Sequence, residues 1–246
     1  MTENNYYRIR WREGWEVLQY LYRHPHDTGQ IARVIEALQG RSLQRLLRRL
    51  RQSEDGRTLL VRRPSLRDAL ADWGWLESLP EGSLGRAYCD FCQQKGVAQQ
   101  GMTGYVEEGT NAERTKNLPP DERFIQDFLF HSHDIYHLVT GYQTDLIGEV
   151  CLLAFTAAQT RNTGVCAMAL LGLYSLRLRR FKGQRLALQA AVRALRASWL
   201  PEQNWVDLLP RPLDDIRRQL GLYPPVEYAP LHISPARKKS TPGTAA

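Results

Sequence analysis

The sequence predicts an all-α fold, built as a single-domain helical bundle. Apolar residues recur at helical spacing along most of the 246 residues, and no stretch alternates apolar with polar residues as a half-buried strand does. A chain of this length with 43% apolar residues can bury one sizeable core. We expect one domain at 14–225, preceded by a short extension at 1–13 and followed at 226–246 by a Pro-rich, basic, disordered tail.

The N-terminal part of the domain predicts short helices. We place the first three at residues 15–24, 28–40 and 42–52. Pro25 and Gly40 stop the first two, and Asp55-Gly56 is expected to form a turn after the third. Two more short helices are expected within 64–96, on either side of "LPEG". The polar, Gly-rich region 97–121 shows no periodicity and is expected to be an ordered loop or a mobile lid.

The C-terminal part predicts longer and more apolar helices. We place them at 121–139 and 145–159, followed by two long apolar helices up to about Trp199 and short capped helices up to Pro224-Pro225. Gly141 punctuates the first of these, and Thr144 or Asp145 can cap the next. The predicted bundle encloses an apolar cavity.

Charge is distributed unevenly, with a net charge of +7 and a pI of about 9.4. Residues 150–201 contain no Asp or Glu, although they contain several Arg and Lys residues. Such helices suit an apolar ligand with an acidic head, an anionic membrane surface, or an ordinary solvated basic face. The Arg-rich helix 41–51 alone would favour nucleic acid, which we do not expect as a partner. No run of eighteen apolar residues is present, so we expect no membrane-spanning segment.

The stretch "HDIYHLVTGYQTDLIGE" at 133–149 concentrates metal-binding side chains. His133 and His137 share one helix face, and Asp134 is close enough to contribute an oxygen or to orient an imidazole. Glu149 follows a helix break, so a return helix can bring it opposite the histidines. Two nitrogens with one or two carboxylate oxygens predict a catalytic metal site with open positions between two consecutive helices.

Two neighbouring patterns are weaker. Asp134 stands where the H-E-x-x-H motif of zincins has its glutamate base, and its shorter side chain argues against a metalloprotease. Cys89 and Cys92 form a lone C-x-x-C, which we interpret as packing residues and not as a zinc site. Few cysteines for this length indicate reduced thiols.

The pattern H-D-x-x-H, followed by eleven residues and Glu, resembles the hallmark of the coenzyme Q (ubiquinone) biosynthesis protein 4 family. The similarity extends over about residues 14–225 and includes "HPHDTGQIARVIEALQGRSLQRLLRRL", "LPEGSLGRAYCDF", "TDLIGEVCLLAF" and "LPEQNWVDLLPRPLDDIRRQLGL". The resemblance implies an all-α fold and a divalent metal, zinc by the usual assignment. The ligand types by themselves also suit iron, which is the alternative. The implied ligands are His133, Asp134, His137 and Glu149.

The resemblance also implies an activity. It is (oxidative) decarboxylation at ring carbon 1 of a polyprenylated 4-hydroxybenzoate derivative, and the alternative is a lipid-binding scaffold with a structural metal. Asp134 and His133 are expected to be catalytic, and Asp134 is left as ligand, orienter or proton donor. Arg86, Tyr136 and Arg177 are expected to bind the substrate.

The expected partners follow from the same resemblance. They are the polyprenylated acid, the other ubiquinone biosynthesis enzymes and a membrane surface, with a homodimer left open. We expect a cytoplasmic protein held peripherally on a bacterial inner membrane, or on the matrix side of the inner membrane in mitochondria.

Overall fold

Thirteen α-helices and no β-strand form the part of the chain that the computed structural model describes, residues 7–23, 29–95, 118–178 and 183–230. The predicted all-α, single-domain fold is confirmed. The helices are α1 (Trp11–Arg23), α2 (Gly29–Leu38), α3 (Ser42–Leu50), α4 (Glu54–Arg62), α5 (Leu66–Ala71), α6 (Trp73–Ser78), α7 (Leu84–Gln94), α8 (Pro120–Thr140), α9 (Leu146–Thr160), α10 (Thr163–Leu178), α11 (Gln184–Arg196), α12 (Trp205–Leu208) and α13 (Leu213–Gln219). A 3₁₀ turn at Leu200–Glu202 precedes α12.

Two short helices in the N-terminal part differ from the prediction. Asp55-Gly56 does not form a turn but lies in the first turn of α4, where the Ser53 side chain accepts a hydrogen bond from the Gly56 N–H. The segment before "LPEG" contains two helices instead of one, because the Asp72 carboxylate caps α6 by accepting from the Trp75 N–H. Capping hydrogen bonds thus override the turn propensity of these residues.

The two long helices α8 and α9 agree with the prediction within one residue at each end. α8 begins at Pro120, a residue favoured in the first turn, and ends at Gly141 in the left-handed conformation with φ of 85°. The Asp145 side chain caps α9 by accepting from the Ile147 N–H. Only residues 141–145 separate the two helices.

The main core lies around α8 and α9, and α11 packs along α9. A second, smaller cluster joins α1 and α2 to α10; its members are Val17, Leu21, Val34, Ala37, Leu38 and Met168. Cys89 and Cys92 are buried free thiols of α7, as expected of packing residues. No helix among the described residues is long and apolar enough to cross a membrane.

The chain remains packed on the domain beyond residue 225. The Val226 N–H donates to the Thr140 carbonyl, and the Tyr228 hydroxyl donates to the Asp145 carboxylate. These contacts involve the first residues of the predicted tail. Residues 231–246, and residues 97–117 of the predicted loop or lid, lie outside the described residues.

Candidate metal centre

Two imidazoles of α8 form one side of the candidate site. His133 and His137 are one helical turn apart, so their side chains project from the same face. Their rings meet edge to face with centroids 4.8 Å apart, and their Nε2 atoms are 3.2 Å apart. The pairing predicted from the helical register is therefore present.

The backbone fixes the orientation of His137. Its Nδ1 lies 2.8 Å from the Tyr142 carbonyl, which can only accept a hydrogen bond. The neutral imidazole therefore carries its proton on Nδ1, and the lone pair of Nε2 points toward His133. A metal-binding histidine is held in this way by a hydrogen bond through its other nitrogen.

Glu149 closes the site from the first turn of α9. Its Oε1 lies 3.3 Å from His137 Nε2, and its Oε2 lies 3.5 Å from His133 Nε2. Ligands at about 2.0–2.1 Å from a tetrahedral ion are about 3.3 Å from one another, so these separations fit a metal the size of zinc. His133, His137 and Glu149 are the group of potential ligands that the described residues bring within 4.8 Å.

The electrostatics of the site favour a positive charge between these side chains. Burial would lower the pKa of His133, but the Glu149 carboxylate outweighs burial and raises it above its ordinary value. Burial would likewise raise the pKa of Glu149, but the imidazoles of His133 and His137, which donate to it and attract it when they are protonated, hold it well below the usual range. The carboxylate therefore remains ionised beside the imidazoles, as a cation site requires.

Access differs among the three side chains. The side chain of His137 is fully buried, whereas those of His133 and Glu149 are 34% and 37% exposed. A ligand can therefore approach from the side of His133 and Glu149. Phe91 of α7 covers His137, with ring centroids 5.9 Å apart.

Asp134 points away from this group and toward α7. It is buried, and its Oδ1 accepts from Lys95 Nζ at 3.1 Å. The Asp134 carboxylate also lies within electrostatic range of Tyr88 and Cys92, and burial raises the pKa of Cys92 to about 11, which keeps the thiol neutral. The structure thus assembles three of the four predicted ligands and places the fourth in an ion pair.

The three predicted substrate-binding residues lie at different places. Arg86 donates to the Glu77 carbonyl at 2.5 Å and so ties α7 to α6. Tyr136 is buried against Trp205, with ring centroids 5.8 Å apart. Arg177 is exposed in the last turn of α10. These recorded contacts do not link the three residues to the metal-binding group, and their assignment to the substrate stays a prediction.

The loop between the ligand helices is held by the C-terminal segment. Arg193 of α11 donates to the Thr140 carbonyl at 2.7 Å and to the carbonyls of Leu222 and Pro224. A side chain on Gly141 would collide with Val226, whose backbone nitrogen would lie 2.7 Å from its Cβ. Glycine is thus required at this turn by both its φ and the close approach of the chain.

Sequence reasoning did not find three groups that shape the site: the Tyr142 carbonyl, the Phe91 ring and the Lys95 ammonium. Residue type does not show which backbone carbonyl accepts a hydrogen bond, because every residue has one. Lys95 lies 38 positions before His133 in the chain, and only the packing of α7 on α8 brings it to Asp134.

Comparison with known proteins places the chain in a family. A family model described as "Coenzyme Q (ubiquinone) biosynthesis protein Coq4" matches residues 18–226. The mitochondrial ubiquinone biosynthesis protein COQ4 homolog of Danio rerio is 29% identical over 210 residues, 82% of this chain and 72% of that protein. The mitochondrial ubiquinone biosynthesis protein coq4 of Talaromyces stipitatus is 31% identical over 178 residues, 70% of this chain but 58% of the fungal protein.

A solved structure shares the fold. The crystal structure of a protein from Nostoc punctiforme superposes with a TM-score of 0.61 at 22% identity, covering 88% of this chain and all of that one. The family model extends over most of the chain and includes both helices of the candidate site. This chain therefore belongs to the Coq4 family of coenzyme Q (ubiquinone) biosynthesis proteins.

Proposed function

We propose that the protein is a metal-dependent enzyme of ubiquinone biosynthesis that removes the carboxyl group at ring carbon 1 of a polyprenylated 4-hydroxybenzoate derivative. The observation that carries the proposal is the convergence of His133, His137 and Glu149 with donor separations of 3.2–3.5 Å. Two nitrogens and one carboxylate leave coordination positions free, which is typical of catalytic sites and not of closed structural ones.

The chain's residues have distinct roles in this proposal. His137 is the rigid ligand, since it is fully buried and oriented by Tyr142, whereas His133 and Glu149 face the side from which a ligand can enter. A divalent metal held there supplies a Lewis acid for the substrate's carboxylate or its ring oxygen. Zinc is the proposed ion and iron is the alternative, because both accept this donor set.

The reaction also requires an acceptor for the electron pair of the bond that breaks. When the bond between ring carbon 1 and the carboxyl group breaks, carbon dioxide leaves and an electron pair stays on the ring. A proton takes up that pair in the simple form. In the oxidative form one oxygen atom of dioxygen takes it up and bonds to ring carbon 1, and the other leaves as water with two further electrons from the ring, so that the product is the para-quinone. We propose that the ring reaches the site past the partly exposed His133 and Glu149, and that the isoprenoid tail lies along apolar helix surfaces.

The test is turnover by purified protein that has been loaded with zinc or with iron. Incubated with a polyprenylated 4-hydroxybenzoate derivative carrying a labelled carboxyl group, the loaded protein should release labelled carbon dioxide, with and without dioxygen as separate arms. Metal-free protein is the matched control and should be inactive. Label that stays on the ring in every arm, with stoichiometric metal bound, would contradict the enzyme and favour a scaffold with a structural metal.

A specific surface supports the alternative, a lipid-binding scaffold on the membrane. α11 buries small residues against α9, namely Ala187, Ala190 and Ala194, while it exposes Leu188, Val192 and Leu195. This arrangement reverses the usual amphipathic helix, in which large apolar residues face the core. The neighbouring α10 exposes Leu170 and Tyr174 in the same way. We call the exposed residues Leu188, Val192 and Leu195 of α11 the outer apolar face.

Charge favours an anionic lipid surface as the occupant of the outer apolar face. Arg185 and Arg196 line an open groove of about 510 Å³ together with Leu188 and Val192. The sequence from 150 to 201 holds no acidic residue that would repel phosphate groups. Exposed leucines beside arginines are typical of helices that lie in a membrane interface. We propose peripheral attachment here, on a bacterial inner membrane or on the matrix face of its mitochondrial counterpart, near the other enzymes of the pathway.

Vesicle flotation tests the attachment. Wild-type protein should float with vesicles containing phosphatidylglycerol, and raising the salt concentration should weaken the binding. Leu188→Ser/Leu195→Ser should bind at least about 10-fold more weakly, because two leucines no longer enter the lipid. Val61→Ser is the matched control, since Val61 is 83% exposed and belongs to a different helix, α4. Flotation that is unaffected by the double substitution, by salt and by anionic lipid would contradict the proposed membrane attachment. If the wild type is a dimer and the double substitution makes it a monomer, the outer apolar face binds a second copy of the chain instead.

A further inference from the structure

The direction of Asp134 is unexpected for a residue that lies between two metal ligands in the sequence. On a helix, a residue next to His133 is rotated by about 100° around the axis. That rotation takes Asp134 toward α7, where it binds the Lys95 ammonium and lies within electrostatic range of Tyr88 and Cys92. Lys95 is the positively charged member of this set, and it lies 3.1 Å from the carboxylate.

Lys95 is itself held in place. Its Nζ lies 4.2 Å from the centroid of the Phe91 ring, which favours an ammonium on its face. Phe91 packs in turn against His137. The Lys95 side chain is 24% exposed and that of Asp134 is 5% exposed, so the pair is shielded more than a surface ion pair. The contacts therefore fix Lys95 beside both Asp134 and the candidate metal site.

The direction of Asp134 changes what the site can bind. Two neutral imidazoles and Glu149 around a divalent ion leave one positive charge uncompensated and leave coordination positions free. If Asp134 joined the ligands, its carboxylate would neutralise that charge and occupy one of those positions. An anionic substrate is attracted by the first arrangement and not by the second.

We infer that Lys95 is a positioning residue that holds Asp134 out of the coordination sphere and so keeps the metal site at three protein ligands, open to an anionic ligand. This inference rests on the proposed metal site. It assigns a role to a residue that the motif does not include, because Lys95 lies outside H-D-x-x-H.

The experiment uses Co²⁺-loaded full-length protein, because the visible spectrum of Co²⁺ reports coordination number. Lys95→Met removes the charge and keeps much of the side-chain volume, and it should release Asp134 to bind the ion. We expect the spectrum to change toward higher coordination and the affinity for Co²⁺ to rise by about 10-fold. Lys95→Arg keeps the charge and should retain the wild-type spectrum. In Lys95→Met/Asp134→Asn the wild-type spectrum should return, because the carboxylate is gone.

A carboxylate probe reports the open position independently of turnover. 4-Hydroxybenzoate should perturb the Co²⁺ spectrum of the wild type but not that of Lys95→Met. Asp134→Asn alone should leave the Co²⁺ spectrum unchanged, since in the wild type Asp134 does not bind the ion.

Two outcomes would overturn this inference and leave the proposed metal site standing. They are a Lys95→Met spectrum identical to that of the wild type, or an altered spectrum in Asp134→Asn. Wild-type protein that binds neither Co²⁺ nor Zn²⁺ would instead overturn the proposed metal site and this inference with it. Circular dichroism of each variant separates these results from a folding defect.

Discussion

His137→Asn is expected to lower the affinity for metal by more than about 100-fold, because losing a group that merely orients a ligand already costs roughly 10–100-fold. The substitution is chosen to separate binding from folding. The amide nitrogen of asparagine can replace Nδ1 as donor to the Tyr142 carbonyl, but nothing replaces Nε2 in the site. Isothermal titration with Zn²⁺, and the Zn²⁺-dependent rise of the melting temperature, should both be lost.

His131→Asn is the matched control for this change. His131 lies on the same helix, but its Nδ1 contacts the Asp127 carbonyl at 2.9 Å, outside the metal-binding group. The control should bind zinc as the wild type does. Stoichiometric, tight metal in His137→Asn would show that the three donors are not the ligand set.

Gly148→Ala is expected to destabilise the fold by about 3 kcal/mol and to displace the adjacent Glu149, since overpacking a tight site costs typically 1–3 kcal/mol or more. A Cβ on Gly148 would lie 1.9 Å from the Gln143 carbonyl oxygen and 2.2 Å from the Tyr228 hydroxyl. Neither neighbour can yield easily, because Tyr228 bonds both the Gln143 N–H and the Asp145 carboxylate. Urea unfolding should show the loss of stability, and zinc titration should show weaker binding.

Gly74→Ala is the control for Gly148→Ala. Gly74 is exposed in α6, and its added Cβ would lie 3.8 Å from Asp72 Oδ1, an ordinary van der Waals contact. Alanine should leave stability unchanged or raise it by up to about 1 kcal/mol, because alanine favours helix. Equal stability of both alanine variants would contradict the packing described around the α8–α9 turn.

The helices could be read from the sequence wherever one apolar face repeats over several turns. α8 and α9 satisfy this condition, and their ends carry residues with a local mechanism: Pro120, Gly141 and Asp145. The boundaries that were wrong involve single hydrogen bonds. Ser53 and Asp72 cap α4 and α6, and such bonds compete so closely with turns that residue type alone does not decide between them.

Within the site, the sequence alone determined that His133 and His137 lie side by side, because helical geometry relates residues four apart without any tertiary contact. The position of Glu149 could not be derived from helical geometry alone. Its approach depends on the short turn at Gly141, which Arg193 and Val226 hold through long-range hydrogen bonds to Thr140. The sequence shows that these residues are present, but it does not show that they bind one another.

The direction of Asp134 was decided by tertiary structure alone. Adjacency to His133 allowed a ligand, an orienter and a proton donor, because a side chain that can rotate reaches several partners, and the resemblance favoured the ligand. The packing of α7 on α8 brings Lys95 to 3.1 Å from the carboxylate. A buried carboxylate without a partner costs several kcal/mol, so the nearest ammonium decides its orientation. Such an ion pair joins distant parts of the chain, so it cannot be predicted from the spacing of residues within one helix.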